Sequence, residues 1–324
     1  MKLSLLDLST VHPGEKPADA FSRSVQTAQL AEKLGYERIW YAEHHNMPAI
    51  ASSAPAVLIS HIAANTSTIR LGSGGVMLPN HSPLTIAEQF GTLAELYPGR
   101  IDIGLGRAPG TDGKTLRALR RDYDAAERFP QDVKELQGYL SGHTMIPGVE
   151  ATPGKGTNVP LYILGSSLFG ASLAAALGMP YAFASHFAPD MFEQAINLYR
   201  EKFQPSEQLA EPYVIAAANF IAADTQQEAM DQKKIAIRER VRLMMGGAIQ
   251  YSDEEIDAII DSGGAEQITN MFRILGVGTG EEAADYITRF GGIVNADEMM
   301  LTNYSPSTEQ ALHGLELMAE QFNH

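Results

Sequence analysis

The chain of 324 residues contains no cysteine. This absence excludes disulfide bonds, thiolate metal sites, iron–sulfur clusters and a cysteine nucleophile, and it is compatible with a reducing compartment. No stretch of about 18 consecutive apolar residues occurs, so no transmembrane helix is predicted. The first residues, MKLSLLD, contain too short an apolar run for a secretory signal peptide. We therefore expect a cytoplasmic protein.

Positive charge is scarce. The chain has 24 Lys and Arg residues against 39 Asp and Glu residues, a net charge of -15. Such a protein repels polyanions at long range, so nucleic acid is not an expected partner, and the lack of an apolar span argues against a membrane. Hydrophobic residues make up 44% of the chain and charged residues 19%, which is typical of a globular protein with a sizeable core.

Short β-type segments alternate with longer helical patterns, which is typical of βαβ units around a parallel sheet. Strands are predicted at residues 2–8, 38–41, 68–72, 100–105, 161–164, 181–184, 213–222 and 298–303. Helices are predicted at 19–34, 54–64 and 83–97, and from about residues 168, 189, 225 and 306. Because no linker divides these units, the sequence predicts one domain over residues 1–324, an α/β fold built as a closed (β/α)8 TIM barrel.

Two segments do not fit this alternation of strands and helices. Residues 147–160 are rich in Gly and Pro and are predicted to form a loop. Residues 244–271 are polar and broken by glycines, and they are predicted to form a mobile insertion before the eighth strand. A lid over the barrel is one role for such an insertion.

Chemistry in such barrels lies at the carboxyl ends of the strands. The second strand is followed by Glu43, His44, His45 and Asn46. The histidine spacing excludes the two-histidine zinc helix, which needs ligands at i and i+4, and no metal site is predicted. A neutral imidazole exchanges protons near pH 7, so these histidines are acid–base candidates. A structural role in the loop has about equal weight.

The third and fourth strands are followed by glycine-rich loops. Gly74 and Gly75 allow a flat ligand to lie against the main chain, or they form a tight barrel corner. Arg107 follows Gly106, and the glycine spacing here does not match a dinucleotide-binding fingerprint. Its guanidinium is suited to a phosphate, or to an ordinary surface ion pair.

The fifth strand is followed by Gly165, Ser166 and Ser167, which open a helix. Free N–H groups at a helix start bind anions, so this turn and Arg107 are candidates to hold one phosphate together. The alternative is that a serine only caps the helix.

Taken together, these loops resemble the bacterial luciferase-like flavin monooxygenase superfamily, most of all its stand-alone luciferase-like oxidoreductase branch. The resemblance covers nearly the whole chain. It rests on WYAEHHN (40–46), LGSGGVMLPNHSPLTIAEQFGTL (71–93), PGRIDIGLGRAPGTD (98–112), LGSS (164–167) and SHFAPD (185–190).

The resemblance implies a flavoprotein that binds FMN in reduced form at the barrel mouth. It implies a non-prolyl cis peptide between Gly74 and Gly75 beneath the isoalloxazine ring. It assigns the FMN phosphate to Arg107 and to the turn of Ser166 and Ser167. A homodimer formed through helices 54–64 and 83–97 is implied in the same way.

The implied activity is that of a monooxygenase: reduced FMN adds O2 at C4a, and the peroxyflavin oxygenates a small organic substrate. The resemblance assigns proton handling to His44 with its neighbour His45, and it implies that Glu43 orients one of the two imidazoles. Electrons come from NAD(P)H acting on bound flavin or from a separate flavin reductase. Two alternatives stay open, a deazaflavin-dependent dehydrogenase of the same superfamily and a non-catalytic flavin-binding protein.

One feature departs from the true luciferases, which carry a cysteine where this chain has Gly106. Light emission with a long-chain aldehyde is therefore not expected. Substrate specificity is expected from the insertion at 244–271 and from four polar residues near strand ends, namely Asp7, Asn80, His81 and His186.

Overall fold

A computed structural model describes residues 1–245 and 251–322. Eight parallel strands close into a ring in the order β1–β2–β3–β4–β5–β6–β7–β9, with β9 returning to β1. A further strand, β8, lies outside the ring and pairs with residues 219–223, the carboxyl-terminal half of β7. The prediction of a TIM barrel is confirmed. The strands are β1 (Lys2–Asp7), β2 (Arg38–Tyr41), β3 (Arg70–Met77), β4 (Ile101–Gly106), β5 (Leu161–Gly165), β6 (Tyr181–Phe183), β7 (Val214–Ala223), β8 (Leu275–Thr279) and β9 (Glu298–Asn303).

Helices surround the ring. A proline at the first position opens each of the first three, where its missing N–H costs nothing, and Gly35 ends the first in the left-handed conformation. None of the helices in the described residues is both long and apolar enough to cross a bilayer. The helices are α1 (Pro17–Leu34), α2 (Pro55–Ala64), α3 (Pro83–Leu96), α4 (Gly113–Ala118), α5 (Phe129–Ser141), α6 (Leu168–Leu177), α7 (Phe192–Lys202), α8 (Gln226–Met245), α9 (Asp253–Asp261), α10 (Glu266–Met271), α11 (Gly280–Ile293) and α12 (Thr308–Phe322).

The segment predicted as an insertion has more regular structure than the sequence indicated. Residues 246–250 lie outside the described residues, residues 244 and 245 end α8, and most of the remainder forms α9 and α10. Ser252 and Glu255 form a capping box at the start of α9, and Ile256 is buried against the β7 side of the barrel wall. The glycines at 263 and 264 lie in the turn between the two helices. The mobility of this segment stays a prediction.

The strand β8 and the helix α11 were not predicted. β8 reads LGVGT, and its two glycines weaken the β-type signal on which the prediction depended. The barrel strand predicted as the eighth is β9, at the predicted residues.

A charged network fills the amino-terminal end of the barrel interior. The guanidinium of Arg38 bonds to Asp102 at 2.6 Å and to Glu298 at 2.8 Å. It also donates to the hydroxyl of Tyr162 at 2.8 Å, and the hydroxyl of Tyr213 donates to Glu298 at 2.7 Å. Pairing and hydrogen bonding offset the free-energy cost of removing these charges from water. The network closes the amino-terminal end of the barrel. Space for a ligand is left at the carboxyl ends of the strands.

Candidate active site

Glu43, directly after β2, joins two imidazoles. Its side chain is completely buried, and Oε1 lies 2.8 Å from Nε2 of His45 and 2.8 Å from Nε2 of His81. The backbone N–H of Met77 donates to Oε2 at 3.0 Å. Burial raises the pKa of Glu43, but these hydrogen bonds outweigh it and the pKa is lowered overall. Since an ionised carboxylate only accepts, each imidazole carries a proton on Nε2.

The sequence predicted that Glu43 orients one of two adjacent histidines. The structure assigns this contact to His45 and adds His81, which the sequence had placed only among the specificity candidates. Residues 43 and 81 lie 38 positions apart, and the contact exists because β2 and β3 are neighbours in the sheet. His81 is thus a partner of Glu43 that the spacing of the motif could not reveal.

His44 faces a different environment from its neighbour. Its Nδ1 is buried beside the backbone of Gly110, and within the described residues no hydrogen bond of ordinary geometry reaches it. Burial lowers the pKa of His44, against the opposing influence of the Gly110 backbone and the Glu43 charge, and the positive charge of Arg240 lowers it further. Burial therefore favours the neutral form of the ring. A buried neutral imidazole with a free ring nitrogen is suited to accept a proton.

A bare main-chain platform is formed by Gly74 and Gly75, whose shared peptide bond is cis, as the resemblance implied. A Cβ atom on Gly74 would lie 2.7 Å from Cδ1 of Leu6 and 2.8 Å from Cβ of Trp40. A Cβ atom on Gly75 would lie 2.7 Å from the carbonyl oxygen of Gly104. Only glycine fits at either position, because Leu6, Trp40 and the Gly104 backbone occupy the space that a side chain would need.

The start of α6 carries amide groups without a side-chain cap. Gly165 ends β5, Ser166 follows, and Ser167 is the N-cap residue, but its side chain makes no capping hydrogen bond. The carbonyl group of Ser167 accepts from the hydroxyl of Tyr181 at 3.0 Å, which fixes the turn. Ser167 thus occupies the cap position without capping through its side chain, and first-turn N–H groups with the positive end of the helix dipole are suited to an anion.

Arg107 lies beside this helix start. Its guanidinium carbon is 4.2 Å from the centroid of the Phe169 ring, and Phe169 belongs to the first turn of α6. Within residues 1–245 and 251–322 Arg107 makes no ion pair, so the alternative of a surface ion pair is not observed. A free guanidinium and free amides at one place fit a phosphate group.

The other specificity candidates lie around the same edge of the barrel. Asn80 donates from Nδ2 to the carbonyl oxygen of Pro109 at 2.8 Å, and its Oδ1 is buried without a partner in the described residues. His186 also has an unpaired buried Nδ1, and burial lowers its pKa to about 4. The sequence analysis missed Asn219, which donates to the carbonyl oxygens of His186 and Met271 at 3.0 and 2.9 Å. An asparagine inside the apolar strand VIAAANFIAA was the available signal.

The fold defines the class of the protein: it is a TIM barrel, and in TIM-barrel enzymes the reaction centre lies at the carboxyl ends of the strands. The chain belongs to the luciferase-like monooxygenase family, whose sequence model matches residues 1–293.

Individual relatives agree with this assignment. The chain is 46% identical over 321 residues to a luciferase-like monooxygenase of Escherichia coli K12, which covers 97% of this chain and 95% of the relative. The solved structure of apo-MsnO8 superposes with a TM-score of 0.89 at 32% identity, covering 99% and 98% of the two chains. The oxygenating constituent of 3,6-diketocamphane monooxygenase of Pseudomonas putida, solved with FMN, superposes with a TM-score of 0.72 at 15% identity, covering 99% and 97%. At 15% identity, the likeness to this last structure shows only that the two proteins share a fold.

Proposed function

We propose that the protein is a flavin-dependent monooxygenase that uses reduced FMN and O2 to oxygenate a small organic substrate. One observation carries the proposal: a guanidinium and an uncapped helix start lie together at the same barrel edge as a platform of two glycines. The first pair suits the phosphate of FMN, and the platform suits its planar ring. A structural neighbour solved with FMN supports the choice of cofactor.

Each part of the proposed site has one task. Arg107 and the first-turn amides of α6 bind the phosphate through charge-assisted hydrogen bonds. Gly74 and Gly75 would support the planar ring, and Gly74 packs against Trp40, which belongs to the apolar cluster of the barrel interior. That cluster excludes water from below. When bound, reduced FMN supplies the electron pair that the reduction of O2 requires.

The histidines manage protons. His44 would accept a proton at Nδ1, because burial favours the neutral form of its ring. Glu43 acts as a positioning residue that holds His45 and His81 with their protons on Nε2. In the balanced reaction, one oxygen atom of O2 enters the substrate and the other leaves as water. The two electrons come from FMN, reduced by NAD(P)H in place or supplied by a separate reductase.

The direct test is titration of the full chain with FMN. Binding is monitored through quenching of the fluorescence of Trp40, the single tryptophan. Oxygen uptake is then measured with reduced FMN and a panel of small organic substrates. His44→Ala should abolish turnover and leave FMN affinity unchanged, whereas His143→Ala, at an exposed histidine remote in sequence from the site, should leave both unchanged.

Three results would contradict the proposal. Absence of FMN binding removes the cofactor assignment. Hydride exchange with a deazaflavin, without O2 uptake with FMN, would indicate the dehydrogenase alternative. FMN binding with full turnover in the His44→Ala variant would remove the proton role of His44.

A further inference from the structure

Asn80 lies in a short helical turn directly after β3 and hydrogen-bonds to the loop that follows β4. Only 7% of the residue is exposed, and its Nδ2 donates to the carbonyl oxygen of Pro109 at 2.8 Å. Because a carbonyl oxygen only accepts, this contact fixes the amide with its nitrogen toward the loop. Nε of Arg121 donates to the backbone carbonyl oxygen of Asn80 at 3.2 Å. Asn80 thus anchors the loop 107–112 two residues after Arg107.

The anchored peptide continues into a close contact with His44. Gly110 follows Pro109 and has a left-handed backbone, with φ 62°. A Cβ atom on Gly110 would lie 2.9 Å from the carbonyl oxygen of Glu43 and 3.7 Å from Nδ1 of His44. A larger residue would force the loop away from these atoms. The peptide between Pro109 and Gly110 therefore links Asn80 to the surroundings of His44.

Two further hydrogen bonds tie the same loop to the segment after β2. The hydroxyl of Thr111 donates to the carbonyl oxygen of His45 at 3.1 Å, and Nδ2 of Asn46 donates to the carboxylate of Asp112 at 3.2 Å. Arg107 is the first residue of this loop. The proposed phosphate ligand and the surroundings of the proposed proton acceptor are therefore parts of one connected piece of structure.

Stability of the fold does not account for an asparagine at position 80. Its Oδ1 is buried and has no hydrogen-bond partner among the described residues. A buried acceptor without a partner costs about as much free energy as a single hydrogen bond contributes. The one bond to Pro109 is thus offset, and the remaining effect of the side chain is to fix where the loop lies.

The position of the loop affects the ionisation of His44. Burial lowers the pKa of His44 most, the Gly110 backbone and the charge of Glu43 raise it, and the charges of Arg240 and His45 lower it. Burial and the Gly110 contact both depend on the loop. A displaced loop would admit water to the ring, and since burial is the largest effect, the pKa would return toward its ordinary value of 6.5.

We infer that Asn80 is a positioning residue, which holds the loop 107–112 where Arg107 can meet a flavin phosphate and where Gly110 packs against His44. The flavin and the proton role of His44 rest on the proposed function, whereas the hold of Asn80 on the loop rests on the contacts alone. The sequence placed Asn80 among the specificity candidates, and this inference gives it a different task.

The test is Asn80→Ala, with Asn65→Ala as the matched control. Asn65, exposed at the end of α2, also donates from Nδ2 to a backbone carbonyl oxygen at 2.8 Å, but at the other end of the barrel. Imidazole NMR of the flavin-free full chain, with the His44 signal assigned by its loss in His44→Gln, should show the pKa of His44 moved toward 6.5 in Asn80→Ala only.

Flavin titration gives the second measurement. Asn80→Ala should reduce the preference for FMN over riboflavin about two- to tenfold, the affinity equivalent of one neutral hydrogen bond, because Arg107 is no longer held in place. Asn80→Ser keeps a shorter donor and should show part of each effect. Thr111→Val removes the hydroxyl that bonds to His45 and should shift the His44 titration in the same direction. Urea unfolding should be nearly unchanged in Asn80→Ala.

The inference is overturned if His44 titrates in Asn80→Ala as it does in the wild-type protein, or if Asn65→Ala causes the same shift. A large loss of unfolding free energy with an unchanged His44 titration would show that Asn80 serves the fold only. A shifted His44 with an unchanged flavin preference keeps the His44 half of the inference and overturns the Arg107 half. Lack of FMN binding by wild-type protein, with the His44 shift present in Asn80→Ala, contradicts the proposed function alone.

Discussion

The guanidinium carbon of Arg107 lies 4.2 Å from the centroid of the Phe169 ring, a cation–π contact between the end of β4 and the first turn of α6. Such contacts at exposed sites are worth about 0.5–1 kcal/mol. That is sufficient to bias a long side chain toward one position. The guanidinium is thereby held near the free amides of α6 before any ligand arrives, which lowers the ordering cost of binding an anion.

Replacing Arg107 tests the phosphate site. Arg107→Ala should weaken FMN binding by about 1.5 to 3 kcal/mol, since a hydrogen bond to a charged group is lost, and should affect riboflavin, which has no phosphate, much less. Fluorescence titration with both flavins measures the difference. Arg289→Ala, at an exposed position of α11, is the control and should affect neither ligand. Equal losses for FMN and riboflavin would show that Arg107 serves another purpose.

Replacing Glu43 tests the histidine cluster. In Glu43→Gln the charge is lost, and one oxygen that now accepts a hydrogen bond becomes an amide donor. We expect a loss of about 1–3 kcal/mol in the free energy of unfolding and slower turnover. Imidazole nitrogen NMR should show that the Nε2–H tautomer of His45 and His81 is no longer enforced. Glu95→Gln, exposed on α3, is the matched control. An unchanged tautomer pattern would refute the positioning role.

The barrel could be predicted from the sequence because each unit repeats a short apolar strand and an amphipathic helix, so eight weak signals reinforce one another. The strand β9 occurs at its predicted residues. By contrast β8, outside the ring, contains two glycines in five residues, and neither periodicity nor composition marked it.

The candidate site was predictable where its residues are close in sequence, and less so where the fold brings distant residues together. Glu43 and His45 share one motif, whereas His81 joins them only because β2 and β3 pair. Arg240 was missed for a similar reason. It lies within a charged helix, where an arginine is most simply explained as a solvated surface residue, and its position near His44 depends on how α8 packs on the barrel.

The last prediction concerns His186, whose pKa is lowered to about 4 by burial. In the unfolded chain the imidazole has its ordinary pKa of 6.5 and binds a proton more readily than in the folded state. The unfolded state therefore gains protons first as the pH falls. The contribution of His186 to stability is present above about pH 6.5 and is lost toward about pH 4.

The measurement is the free energy of urea unfolding at about pH 7 and about pH 5 for wild-type protein and for His186→Gln, which cannot take up a proton. Between these two conditions the wild-type protein should lose about 2 kcal/mol more than the variant. His143→Gln removes an exposed histidine and should leave the wild-type pH dependence unchanged. If His186→Gln follows the wild-type curve, the imidazole of His186 is solvated in the folded protein, and its unpaired Nδ1 does not carry the cost that burial implies.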